Sequence, residues 1–156
     1  MERTIIVRNE DEDIEIRVKA SNFALRTYRA EFNADLIRDL SEIQDKLHPD
    51  LFMDAVKKAG VNPGDLDKEE LLNLVVSNID LSRIDDQGNE KQIIPDAETQ
   101  IKIMQIVWVM AKAADRKVPG FEAWCDDLDI LPSANLFDRC YEMWQKATEG
   151  TVEIKN

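Results

Sequence analysis

The stretch Glu98–Ala114, ETQIKIMQIVWVMAKAA, decides the fold. Ile101, Ile103, Met104, Ile106, Val107, Trp108, Val109 and Met110 leave almost no polar face between Lys102 and Lys112. A helix that is apolar nearly all round must be wrapped by other elements rather than laid on a surface. Burying a large apolar side chain stabilises by roughly 1.5–3 kcal/mol, so such a set contributes on the order of 12–24 kcal/mol before conformational entropy is charged. A membrane span would need ~18–20 apolar residues. The unbroken apolar run here covers only Ile106 to Ala111. The pattern therefore predicts a mainly α, single-domain bundle over residues 1–150 around a central helix at about 98–114, with 151–156 as a tail.

Working outward, Thr4 to Lys19 reads as a β-hairpin. Ile14, Ile16 and Val18 alternate with Glu15, Arg17 and Lys19, the period of a half-buried strand. Ile5 and Val7 are the matching inward residues, and Asn9 to Asp13 form the polar turn. Ser21 or Asn22 is placed to cap a helix whose stripe is Leu25, Tyr28 and Phe32. Asn33 tolerates the left-handed conformation that ends or jogs a helix, and Leu36, Leu40, Ile43 and Leu47 mark the next stripe. Together these predict helix over about 22–47. Pro49 and Gly60 bracket a short helix at 49–59. Asp67 and Glu70 have capping-box spacing, with Leu66 and Leu71 as its staple. The helix they start, at 68–80, carries Leu71, Leu72, Val75 and Ile79. Ser82 to Ile94 reads as a polar loop. After the central helix at 97–114, Val118-Pro119-Gly120 breaks the chain ahead of helices at 120–128 and 133–147.

Thirty-two acids against twenty bases give a net charge of −12. That balance argues against binding nucleic acid or an anionic membrane, both of which need cations. Cys125 and Cys140 lack CxxC spacing, which reads as buried thiols of a reduced, cytoplasmic protein. His48 is the single histidine, so no histidine-pair metal site is expected. No glycine falls in a phosphate-loop arrangement and no serine in a GxSxG elbow. The expectation is a non-enzyme with no catalytic residue, no metal and no cofactor.

Two stretches resemble the tail assembly chaperones of long-tailed phages and prophages. In SNFALRTYRAEFNADLIRDL, residues 21 to 40, the pattern is carried by Tyr28, Arg29, Phe32, Asn33, Asp35 and Asp39-Leu40. In IVWVMAKAADRKVPGFEAWCDDLD, residues 106 to 129, it is carried by Met110-Ala111-Lys112, Ala114-Asp115, Pro119 and Phe121 to Trp124. Asn33 stands where the family more often has glycine, and residues 48 to 94 look like an insertion. The resemblance implies a non-enzymatic chaperone of the host cytoplasm, absent from the mature virion. Its partners would be the tape measure protein and the tail tube protein. The rival reading of so acidic a chain is an inhibitor that mimics DNA and blocks a nucleic-acid-binding partner.

Client-binding candidates are the C-terminal aromatics Phe121, Trp124, Tyr141 and Trp144, because tryptophan and tyrosine are enriched at interface hot spots. The same spacing also suits packing onto the central helix. Arg17, Lys19, Arg26, Arg29 and Arg38 form a basic island facing two acids, Glu31 and Asp35. It is either a self-association site meeting an acidic cluster such as Asp126 to Asp129 on another copy, or a mixed-charge helix face.

Overall fold

In a computed structural model, which describes residues 1–8, 11–91 and 93–155, strand β1 (Glu2–Arg8) pairs antiparallel with β2 (Asp13–Lys19). The alternation in the sequence sets the register: Ile5 faces Ile16, Val7 faces Ile14 and Arg3 faces Val18. Val7, Ile16 and Val18 are buried on the side expected of them. Asn9 and Glu10 of the expected turn lie outside the described residues. Among the described residues seven α-helices follow: α1 (Asn22–Phe32), α2 (Leu36–Leu47), α3 (Leu51–Ala59), α4 (Lys68–Asn78), α5 (Ala97–Ala114), α6 (Phe121–Asp126) and α7 (Ser133–Thr148). The protein is mainly helical with a small N-terminal hairpin. Where the sequence reads as one domain, the residues cluster in two compact units, Met1–Ile43 with Pro95–Asn156, and Gln44–Ile94.

In the larger unit α5 is the hub: β2, α1, α6 and α7 all pack against it. Its burial changes along its length. Thr99 and Ile103 face inward from the first turns, whereas every residue from Ile106 to Ala111 is buried. The expected all-round burial over Ile101–Met110 therefore needs correcting at its start, because α5 is covered on one face there and on all faces only later. Ile101 is 54% exposed. No helix among the described residues is long and apolar enough to cross a membrane.

The helix ends follow local chemistry. Asn33 adopts φ 49° and ψ 42°, and its N–H donates to the Arg29 carbonyl, so the predicted helix over 22–47 divides there. A position that needs left-handed backbone suits glycine first and asparagine next. Ser21 takes the N-cap position of α1 without making a side-chain cap bond. Asp50 caps α3 by accepting from the Met53 N–H, so that helix begins after Pro49 rather than at it. Gly60 closes α3 at φ 72°. Asp67 accepts from the Glu70 N–H at 2.8 Å, which holds its carboxyl below the usual range. The helix this starts ends at Asn78, because Asp80 instead caps a 3-10 turn at Leu81–Arg83. Within the polar loop beyond, residues 84–90 form a tight turn: Ile84 bridges Glu90, and Asp85 accepts from the Gln87 and Asn89 N–H groups, while Gln92 lies outside the described residues. The short helix expected at 120–128 contracts to Phe121–Asp126.

Within the smaller unit α3 and α4 pack as a pair around Ala55, Val56 and Val75, with Leu71 and Ile79 against them. The inward stripe of α4 is therefore Leu71, Val75 and Ile79. Leu72, expected inside, lies on the other side and is exposed.

The two thiols differ in environment. Cys140 is fully buried on α7, and desolvation pushes its pKa up to about 12. Cys125 is partly exposed, and burial together with the charge of Asp126 raises it more modestly. A raised folded-state value favours the folded thiol below the ordinary ~8.5 and is lost as pH climbs through the folded value. Tyr28, raised by burial and by Asp39, has the same sign at still higher pH. At pH 8 the native protein is thus expected to alkylate at Cys125 and to protect Cys140 until it unfolds. Its urea midpoint should fall as pH rises above about 9. Equal native labelling of both thiols would contradict the burial of Cys140.

Candidate functional site

Residues that carry the resemblance meet in one place. Tyr28 on α1 donates its hydroxyl to Asp39 on α2 at 2.7 Å, with both side chains buried. A buried carboxylate needs such a donor, since an unpaired one is costly. One turn on, Phe32 lies edge-on to Tyr28 at 5.4 Å, to Trp108 at 5.8 Å and to Phe121 at 5.4 Å. Trp108 and Phe121 close the set at 6.0 Å. Edge-to-face pairs at these separations add to the stabilisation from burial alone.

The turn between α5 and α6 is tied down by the same helix. The Trp108 indole N–H donates to the Pro119 carbonyl at 2.9 Å, and the Lys112 ammonium to the Val118 carbonyl at 2.7 Å. Asp115 accepts from the Lys117 N–H at 3.0 Å, shaping the turn from within. Arg116 stacks on the Phe23 ring, 3.1 Å from its centre. The Met-Ala-Lys, Ala-Asp, Pro and Phe-x-x-Trp elements thus surround a helix–turn–helix joint. Their contacts hold the joint in place.

The four aromatics singled out as client-binding candidates occupy different settings. Trp144 is buried in α7, and its indole N–H points to the Met110 sulfur at 3.2 Å. Phe121 is half-buried in the aromatic cluster. Tyr141 is half-buried and stacked on Phe137 at 5.7 Å. Trp124 is half-buried on α6. Of the basic island, Arg26 and Arg29 are exposed on α1 and Lys19 is half-buried. Arg17 binds Glu2 at 2.6 Å, which raises its pKa, and Arg38 lies 3.9 Å from Glu42. The island is therefore partly neutralised within the chain.

An apolar surface that the sequence reading did not single out is on α4. Leu72 and Val76, one turn apart, are 62% and 65% exposed. Phe52 and Met53 on α3 are also exposed. The signal was present in the sequence: a helix with Leu71, Leu72, Val75, Val76 and Ile79 has more apolar positions than one inward stripe uses. Among the described residues no group of three or more His, Cys, Asp or Glu side chains is arranged to hold a metal ion.

Comparison of the chain with family models, with curated proteins and with solved structures finds no match in any of the three.

Proposed function

We propose that the protein is a tail assembly chaperone of a long-tailed phage or prophage. In this reading it is a non-enzymatic protein that holds the tape measure protein while tail tube subunits assemble around it. The observation that supports this is the joint core built by the two resemblance-bearing stretches: Tyr28, Phe32, Asp39, Trp108, Lys112, Pro119 and Phe121 contact one another in chains of hydrogen bonds and ring contacts. A pattern shared for packing reasons would have that form. The left-handed Asn33, at a position where the family favours glycine, supports it from a second direction.

A tape measure is long and helical, so its chaperone must offer apolar surface to amphipathic helices. Leu72 and Val76 supply such a surface on α4, and exposed neighbouring apolar residues commonly mark interaction sites. The test is capture of a fragment of a tape measure protein. Wild-type protein is expected to retain it, and the double substitution Leu72→Asp with Val76→Asp to weaken retention roughly tenfold or more. Exposed positions tolerate such changes within about 0.5 kcal/mol, so the melting temperature should stay put. Alanine at Trp124 or Tyr141 gives the competing assignment. If those variants release the fragment while the α4 variant keeps it, the surface lies on α6 and α7 instead. No retention by the wild-type chain would remove the chaperone reading.

A further inference from the structure

A groove of about 560 Å³ runs between β1 and α7. It is lined by six consecutive strand residues, Arg3 to Arg8, and on α7 by Leu136, Arg139 and Met143 among others. Side chains of a strand alternate between its two faces. A groove bordered by consecutive residues therefore follows the strand's edge rather than either face. No residue of β2 lines it, and in a sheet of order β1-β2 this is the edge of β1 without a ladder partner. An unpaired edge presents N–H and C=O groups ready to accept another strand.

The chain also carries a strand-like sequence pattern outside its sheet. After α7, Thr151 to Lys155 reads TVEIK, with β-branched Val152 and Ile154 alternating with polar residues. Val152 is 95% exposed and Ile154 88%. Five residues extend ~17 Å and the six of the edge ~20 Å, so the lengths match. The charges match as well. Arg3, Arg8, Arg139 and Lys146 line the groove, with Arg8 paired to Asp13 and Arg139 and Lys146 sharing the single Glu142, so the groove keeps a positive excess. The segment and its approach carry Glu149 and Glu153 against Lys155.

The geometry where α7 ends bears on whose segment enters. A helix that reverses at its end commonly uses a left-handed residue just past the last turn. Glu149 instead stays right-handed, at φ −80° and ψ −7°, and Gly150 is not among the glycines with positive φ. The end of α7 thus lacks the left-handed turn that most often sends a chain back along its own helix.

We infer that residues 151–155 of one copy add as a third strand to the β1 edge of a second copy, in the groove against α7. Reciprocal exchange of the two segments closes a two-fold dimer. The acidic surface of the chain is not required for it.

Sedimentation of the full chain across a concentration series tests this, with the double variant Val152→Asp, Ile154→Asp alongside. The wild type is expected to dimerise and to keep doing so in high salt, while the variant stays monomeric with an unchanged melting temperature. A chain ending at Gly150 should bind a labelled peptide of residues 149–155. The further substitution Ile6→Lys, in the groove, should weaken that binding roughly tenfold or more. A wild type monomeric at every concentration would overturn the inference, including the case where the segment sits in its own groove. So would a dimer that survives loss of both apolar side chains.

Discussion

Replacing Val107 by aspartate is expected to abolish the cooperative fold. Val107 is completely buried on α5, inside the run from Ile106 to Ala111 where the helix is covered on all faces. An ionised carboxylate there has no partner, and burying a charge unpaired costs several kcal/mol even after relaxation. Domains of this kind have only about 5–15 kcal/mol in total. The control is Ile101→Asp on the same helix, where half the side chain already meets water. That change should move stability by about 0.5 kcal/mol or less. Far-UV circular dichroism with thermal melting separates the two. Equal behaviour of the variants would mean that α5 is not wrapped where its burial says it is.

Trp108→Ala should lose ~3–5 kcal/mol, the usual range for deleting a buried aromatic. At ~2–4 °C per kcal/mol for a chain of this size, the melting temperature should fall on the order of 10 °C. Two ring contacts, to Phe32 and Phe121, disappear together with the bond to the Pro119 carbonyl. Trp108→Phe keeps most of the ring contact but leaves that carbonyl without its donor, for about 1 kcal/mol. If α6 is held to α5 by this one side chain, the alanine variant should also expose Cys125 to alkylation faster than the phenylalanine variant. An alanine variant as stable as wild type would place the core elsewhere.

Much of this architecture was legible in the residues. Strict alternation from Ile14 to Val18 fixes both the face and the register of the hairpin, because a one-residue slip would turn Ile16 and Val18 outward. Asn33, Gly60 and Asp67 act through their own backbone or nearest neighbours, so their roles could be read locally. What the sequence withheld depends on partners distant in the chain. Apolarity at Ile101 or Leu72 does not say which side of a helix a neighbour will cover. Nor does an aromatic stripe say that Trp144 will turn its indole to Met110 while Tyr141 stacks half-exposed on Phe137.

The same limit explains the candidate surfaces. Four aromatics on two C-terminal helices look like one binding face in one dimension. In three, Trp144 is buried and Phe121 belongs to the cluster with Phe32 and Trp108. The exposed Leu72 and Val76 emerge only once Leu71, Val75 and Ile79 are known to face α3. The open edge of β1 is a property of backbone pairing and leaves no mark on side-chain pattern at all.

The most direct test of a client-holding role is whether this protein keeps a tape measure fragment in solution. The fragment, purified in denaturant and diluted alone, is expected to aggregate and scatter light. With the wild-type chain present it should stay soluble and elute with it as a complex of defined mass. Undiminished scattering at excess protein, with no complex eluting, would contradict that role.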